Sequence, residues 1–110
     1  MPELPEFTAE DNKLLILARG ARGRIGAETG AAVRDGDGRT YAAASVTLPG
    51  LELSGLQLAV ANAVAAGAEE LEAAVVVTAG EVDEGGLSAV RHLSSAAPVY
   101  VADPDGTIRE

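Results

Sequence analysis

The sequence contains no cysteine, no tryptophan and a single histidine among its 110 residues. Without cysteine the chain cannot form disulfides, use a thiolate nucleophile or build a cysteine-ligated metal site. Aromatic residues make up only 3% of the chain, which argues against a surface on which bases or sugar rings stack. The absence of thiols also fits a reducing compartment, and we expect a cytoplasmic protein.

Long apolar runs and a basic charge balance are also missing. No run is long enough to span a bilayer, and no segment has the pattern of a signal peptide. The net charge is −9, so nucleic acid and anionic membrane would be repelled at long range, and we expect neither as a partner. The length predicts a single domain over residues 1–110, with 1–7 as a loose lead-in.

The first half of the chain predicts one helix and one hairpin. The helix should begin after Thr8, an N-cap residue, and run to about Arg22. Strands over residues 30–35 and 40–47, joined by the Asp-Gly-Asp-Gly turn at 35–38, should form the hairpin. The buried face of the helix is expected to carry Leu14, Leu17, Ala18 and Ala21.

The second half centres on a predicted helix over residues 54–67. A continuous apolar strand is predicted over 73–78, a third helix over about 87–96 and a strand over 98–102, and residues 107–109 begin a last short strand. Because the run at 73–78 is apolar throughout, helices should cover both faces of the sheet in a three-layer α/β/α domain. The central helix should bury a stripe of Leu56, Val60, Ala63, Val64 and Gly67.

No local motif is specific for a catalytic chemistry. The chain has no phosphate-binding loop, no nucleophile elbow and no metal-binding histidine pair. His92 is interpreted as a surface histidine on the third helix. An anion site at Arg19, Arg22 and Arg24 is the less favoured alternative to plain surface charge at a helix end.

Acidic residues leave two further alternatives open. Glu81, Asp83 and Glu84 carry oxygen ligands suited to calcium or magnesium, but they lack the spacing of a calcium loop and are interpreted as a solvated loop. Carboxylate-based catalysis would require Glu52 to converge with Glu81 or Asp83.

Three stretches of the chain resemble the cytidine deaminase family. Residues 30–33 (GAAV), Asp37-Gly38 and Tyr41 resemble a strand, turn and strand of that family. Residues 54–67 resemble the helix that carries the Cys-Ala-Glu-Arg motif, and residues 74–77 and 85–93 resemble the segments that follow it. The resemblance implies a cytidine deaminase-like α/β fold with a mixed sheet of about five strands.

The chemical positions of the family pattern are changed in this chain. In the family, zinc is held by cysteine or histidine ligands, and a glutamate moves protons. By the resemblance, Ser54 stands at the first ligand position, Leu56 at the position of the glutamate, and Gly86 and Ala89 at the paired cysteines. We therefore expect no catalytic residue at these positions, no zinc, no other metal and no cofactor.

The function predicted first is a catalytically inactive, deaminase-like protein that acts as a scaffold or protein-interaction subunit. It is expected to form a homo-oligomer, a dimer or a tetramer, or to bind a protein partner. The first alternative is a small-molecule or nucleoside binding module, and the second is an enzyme of the carboxylate-based kind. The remodelled pocket of the binding module would use Ser45, Thr47, Ser54 and Gln57.

Overall fold

The computed structural model describes residues 7–109 of the chain. The lead-in expected at residues 1–7 lies outside the described part, apart from Phe7, whose ring packs edge-on against Tyr100 with centroids 4.9 Å apart. Within the described residues the elements follow the order α1 (Ala9–Ile25), β1 (Thr29–Asp35), β2 (Thr40–Ala44), β3 (Val46–Leu48), β4 (Leu51–Leu53), α2 (Gly55–Ala65), β5 (Leu71–Thr78), α3 (Glu84–Leu93) and β6 (Val99–Ala102).

The main sheet has four strands in the order β2-β1-β5-β6. Strand β1 is antiparallel to both β2 and β5, whereas β6 is parallel to β5, so the sheet is mixed as predicted, with four strands instead of about five. The last strand predicted at residues 107–109 adds only one bridge, between Ala102 and Ile108. A tight turn at Gly106, which has φ 95°, brings this segment back beside β6, where the backbone N–H of Arg109 donates to the carbonyl of Val101 at 2.7 Å.

Helices cover both faces of this sheet, as the apolar run in β5 predicts. Side chains alternate along β5, with Val75 facing α1 and Val76 facing α2 and α3. The core on the α1 face contains Leu14, Leu15, Ala18, Ala32, Ala73, Val75, Val77, Tyr100 and Ala102. The core on the other face contains Ala31, Val33, Ala43, Leu56, Ala59, Val60, Ala63, Leu71, Ala74, Val76 and Val90.

The three layers touch through backbone at Gly30 in β1. A Cβ atom at Gly30 would lie 2.3 Å from the carbonyl oxygen of Ala18 in α1. On the opposite face, a Cβ atom at Gly55 in α2 would lie 3.0 Å from the Cα of Gly30. Because neither glycine has a side chain, α1, β1 and α2 approach one another more closely here than layers separated by side chains do.

Helix α1 is longer than predicted, and its buried face is different. The prediction of Leu17 on the buried face is wrong, because Leu17 is 39% exposed whereas Leu15 is buried. The buried stripe instead includes Asp11, a polar residue that shifts the stripe away from Leu17. The helix ends at Gly26, whose left-handed backbone (φ 63°) forms the C-cap.

Asp11 is buried because it serves two partners. Its Oδ2 accepts a hydrogen bond from the backbone N–H of Thr8, which completes a capping box, and its Oδ1 lies 3.0 Å from Nη2 of Arg34. The Nε of Arg34 also donates to Glu72 at 2.9 Å. Helix α1 is thereby joined to β1 and β5 by an ion-pair network at the edge of the α1-face core.

The predicted strand over residues 40–47 is wrong in its second half. Strand β2 ends at Ala44, and β3 pairs with β4 in a separate two-stranded hairpin. The Pro49-Gly50 pair makes the turn of this hairpin, where Gly50 has φ 81°. The segment expected to lead directly into the central helix therefore contains its own strand pair.

Helices α2 and α3 differ from the predicted stripes and bounds. Leu56, Val60 and Ala63 are buried as predicted, but Val64 is 49% exposed and Ala59 takes its place in the core. Gly67 is also exposed, because α2 ends at Ala65. Helix α3 begins at Glu84 and ends at Leu93, earlier than predicted at both ends, because the Asp83 side chain caps it.

Candidate functional site

One cleft brings together all the side chains predicted to bind a ligand. It has a volume of about 420 Å³ and lies where the start of the β3–β4 hairpin, the N-terminus of α2 and the loop before α3 meet. The residues that line it are Glu28, Thr29, Ser45, Thr47, Glu52, Leu53, Ser54, Gln57, Glu81, Asp83 and Gly85.

Two of the predicted ligand-binding residues form the N-terminal cap of α2. The Oγ of Ser54 accepts from the backbone N–H of Gln57, and the Oε1 of Gln57 accepts from the backbone N–H of Ser54, both at 3.0 Å. This is a capping box, which satisfies two backbone N–H groups at the start of a helix. The side-chain oxygens of Ser54 and Gln57 thus stabilise the helix at the wall of the cleft.

The other two predicted residues lie on the hairpin side of the cleft. The Oγ of Ser45 accepts from the backbone N–H of Thr29 at 3.1 Å, and the Oγ1 of Thr29 accepts from the backbone N–H of Gly55 at 2.9 Å. These contacts tie β1 to the end of β2 and to the start of α2. Thr47 is exposed on β3. Three of the four predicted residues therefore satisfy local backbone groups.

The lining of the cleft is acidic. Glu28, Glu52, Glu81 and Asp83 all contribute to it, and no lysine, arginine or histidine does. The convergence of Glu52 with Glu81 and Asp83 on one cleft is thus observed. The Oδ2 of Asp83, however, accepts from the backbone N–H of Gly86 at 2.6 Å as the cap of α3. Negative charge on this lining disfavours phosphate-bearing ligands.

The positions that the resemblance assigns to zinc chemistry lie where α2 meets α3. Leu56 is fully buried in the core, and Gly86 packs directly against it. A Cβ atom at Gly86 would lie 2.9 Å from both Cβ and Cδ2 of Leu56. Ala89 is half-buried one turn further along α3 and packs against the same core. The side chain of Leu56 thus contacts Gly86 directly where the two helices meet.

A metal cluster is not found among residues 7–109. No group of three or more histidine, cysteine, aspartate or glutamate side chains there is arranged to hold a metal ion. The Glu81–Glu84 segment is part of the cleft rim and the cap of α3. In the same part of the chain, no helix combines the length and the apolar character that crossing a membrane requires.

The basic residues identified from the sequence lie on the surface. His92 is exposed on α3, as predicted. The Nε of Arg19 donates to the carbonyl of Pro104 at 3.3 Å, and the Nε of Arg22 donates to the carbonyl of Glu28 at 3.2 Å. Both contacts hold neighbouring loops to the end of α1, which favours the surface-charge interpretation over an anion site.

A buried carboxylate was missed in the sequence. Asp35 accepts hydrogen bonds from the backbone N–H groups of Asp37 and Arg39 and from the hydroxyl of Tyr41, each at 2.9 Å. Burial alone would raise the pKa of Asp35, but these hydrogen bonds outweigh it and lower the pKa below its ordinary value. The Asp-Gly-Asp-Gly motif predicted the turn, and the tyrosine that completes the site lies just beyond it.

Both tyrosines of the chain are expected to ionise late. The hydrogen bond to Asp35 raises the pKa of Tyr41, and burial raises that of Tyr100, each above the ordinary 10.0. The stability that this provides is complete below about pH 10 and is lost as the pH rises through the folded-state values. Followed upward from neutral pH, tyrosinate absorbance should appear only above about pH 10, and the melting temperature should fall over the same range.

The variant Tyr41→Phe is the control for this titration. Because the chain has no tryptophan, the absorbance change that remains in this variant should come from Tyr100 only. A tyrosine that ionises below pH 10 in the folded protein would contradict the expectation.

Comparison with known proteins places these features in a family. The family model described as Cytidine deaminase-like matches residues 7–106 of the chain. No curated protein sequence matches it. The solved structure of cytidine deaminase from Burkholderia pseudomallei is similar with a TM-score of 0.75 at 23% identity, covering 89% of this chain and 88% of that one.

A second solved structure supports the same fold. It is a glutamate-to-glutamine mutant of the cytidine deaminase from Mycobacterium tuberculosis. The TM-score is 0.68 at 20% identity, and the match covers 90% of this chain and 88% of that one. At such identities the likeness is one of fold, and the predicted α/β architecture is confirmed.

Proposed function

Because this chain belongs to the cytidine deaminase-like family, we propose that it is a catalytically inactive member, a pseudoenzyme that acts as a protein-interaction subunit. The observation that carries the proposal is the packing of Leu56 against Gly86 between α2 and α3. Fold likeness alone does not give a function, which depends on the residues of the site.

The donor set supports the absence of zinc chemistry. Structural and catalytic zinc sites use thiolate, imidazole or carboxylate ligands. By the resemblance, the ligand positions carry Ser54, Gly86 and Ala89, and the chain has no cysteine to substitute for them. The hydroxyl of Ser54 caps α2. Leu56, at the position of the proton-transferring acid, has no proton to transfer.

The packing supports the same conclusion from geometry. A side chain at position 86 would collide with Leu56, and one at position 85 would place its Cβ 2.6 Å from Nε2 of Gln57. Metal–sulfur bonds of about 2.3 Å need open space between the ligand-bearing helices. At position 86 Leu56 leaves no such space for the side chain of a ligand, so the residues present at this position do not fit a zinc ion.

Two measurements test this proposal. Purified protein, dialysed against zinc and then against buffer, should contain far less than one zinc per chain. It should also convert cytidine to uridine no faster than buffer does, while a zinc-containing cytidine deaminase assayed in parallel serves as the positive control. Stoichiometric zinc or turnover above the buffer rate would overturn the proposal.

The cleft favours one second candidate, a module that binds a small polar ligand. Its support is that Ser45, Thr47, Ser54 and Gln57 line a single cavity. The acidic lining selects nucleosides over nucleotides within that candidate. A nucleoside at about a hundred times its Kd would stabilise the protein by about 2.7 kcal/mol. Melting temperatures with a nucleoside panel distinguish the two functions, since the pseudoenzyme proposal expects no shift.

A further inference from the structure

Half of the basic residues of this acidic chain lie on one stretch of α1. Residues 12–25 contain four of its eight lysine and arginine residues and no aspartate or glutamate. The four are Lys13, Arg19, Arg22 and Arg24. The stretch therefore has a charge of +4, whereas the rest of the chain, given the net charge of −9, has a charge of −13.

The outer side of this basic stretch is apolar at its centre. Ile16 is 62% exposed, and Leu17 beside it is 39% exposed. Gly20 and Gly23 follow Ile16 by four and seven residues, so they lie on the same side of the helix, and both are exposed. A surface helix usually presents charged and polar side chains at such positions.

Packing within the described part of the chain does not explain the two glycines. A Cβ atom at Gly23 would meet nothing within 4 Å, and one at Gly20 would meet only Nη2 of Arg24, at an ordinary 3.7 Å. Neither glycine has a positive φ. Glycine destabilises a helix relative to alanine. What it permits on the open side of a helix is the close approach of a second helix to the backbone.

Basic side chains border this stripe. Lys13 and Arg24 are both exposed, and Nη2 of Arg24 lies beside Gly20. Within residues 7–109, Lys13 forms a salt bridge only with Glu10, which is itself 63% exposed, and Arg24 forms none. These two positive charges are therefore open to an external partner. We name the surface formed by Lys13, Ile16, Gly20, Gly23 and Arg24 the α1 outer face.

We propose that the α1 outer face binds a helix of another protein, one that carries a stripe of small and aliphatic residues bordered by rows of aspartate and glutamate. This inference rests on the proposed function, because it names the kind of partner that the interaction subunit takes. The stripe of the partner packs on Ile16 and against the helix backbone at the two glycines. Its carboxylates lie beside Lys13 and Arg24, where charge-assisted hydrogen bonds can form.

The charge distribution selects an acidic helix over the other candidates. A second copy that presented the same face would set like charges against each other. Nucleic acid and an anionic bilayer extend well beyond one helix and would meet the charge of −13 on the rest of the chain. The carboxylates of a single bound helix stay within about 10 Å of the bases of α1, which is one screening length.

Binding of a stapled peptide tests this proposal. The probe has the 17-residue length of α1, a stripe of leucine and alanine, and glutamate on both sides of the stripe. The staple holds it helical, because short isolated helices are marginal in water. A second peptide has lysine in place of each glutamate. Fluorescence anisotropy should show the full chain binding the glutamate peptide at least about tenfold more tightly than the lysine peptide, and added NaCl should weaken that binding.

Three variants locate the binding on the α1 outer face. Gly20→Gln should weaken binding of the glutamate peptide at least about tenfold, because its side chain would hold the two helices apart. It should leave the melting temperature unchanged or higher, since glutamine is a better helix former than glycine. Arg24→Glu should weaken binding by a similar factor. Arg91→Glu is its matched control, the same charge change in the last turn of α3, and should change the affinity by less than about twofold.

Several results would overturn the proposal. They are no binding of the glutamate peptide, equal binding of both peptides, a Gly20→Gln protein that binds like wild type, and loss of binding in Arg91→Glu, which would trace the effect to net charge. Displacement of the peptide by phosphatidylserine vesicles would assign the face to a membrane instead. Zinc content and cytidine turnover, measured on the same samples, report separately on the proposed function. A zinc-free, inactive protein that does not bind the peptide would reject the helical partner alone.

Discussion

Gly30→Ala is expected to destabilise the protein by about 3 kcal/mol or more, the upper part of the range for overpacked cores. The new methyl group would lie 2.3 Å from the carbonyl oxygen of Ala18, and 2.7 Å from Cβ of Arg22. Both belong to the same helix, so no single side chain can move aside. The strand cannot retreat either, because Gly55 packs against its other face.

Urea denaturation and thermal melting measure this effect. A loss of that size lowers the melting temperature of a domain of this length by about 12 °C or more. Gly23→Ala is the matched control, on the helix α1 that Gly30 contacts. Nothing lies within 4 Å of a Cβ atom at Gly23. This substitution should stabilise the protein by up to about 1 kcal/mol. Equal and small effects of the two substitutions would contradict the described packing of α1 on β1.

Asp11→Ala is expected to cost about 2–4 kcal/mol, slightly below the range for breaking a fully buried ion pair because Arg34 retains some exposure. The side chains of Asp11 and Arg34 are 5% and 17% exposed. The substitution removes the partner of Nη2 on Arg34, whose Nη1 is already buried without a hydrogen-bond partner among the described residues. It also removes half of the capping box of α1.

Two variants separate the ion pair from the helix itself. Lys13→Ala breaks an exposed pair with Glu10, in which the side chains are 68% and 63% exposed, and should change stability by less than about 0.5 kcal/mol. The double variant Asp11→Leu with Arg34→Met should recover much of the loss, since it leaves no buried charge unpaired. If it were no more stable than Asp11→Ala, burial of an unpaired charge would not be the cause.

The sequence predicted the three-layer arrangement of this domain better than it predicted which residues a helix buries. The uninterrupted apolar run of β5 specified a strand covered on both faces, and this is a property of the strand alone. Asp11, in contrast, looks like an ordinary first-turn acid, and only the position of Arg34 on another element explains its burial. A stripe of apolar residues alone puts Leu17 in the core, because such a stripe cannot include Asp11.

The sequence predicted where the candidate site lies, but not what its side chains do there. Ser54, Gln57, Ser45 and Thr47 do meet in one cleft. The Ser-x-x-Gln pattern is also a capping-box signature, and the structure shows Ser54 and Gln57 in that role. The contact between Leu56 and Gly86 depends on how two helices pack. No local pattern reveals such a distance, so the strongest argument about function came from the structure.

The close contact at Gly30 also has a mechanical consequence. Where side chains separate the layers of a domain, a helix can slide or tilt by small rearrangements within the side-chain layer. At Gly30 the backbone of β1 touches α1 on one face and α2 on the other, and a close-packed interior transmits strain rather than absorbing it. A load applied to the outer side of α2 is therefore passed through the strand to α1, so the domain responds at this point as one stiff body.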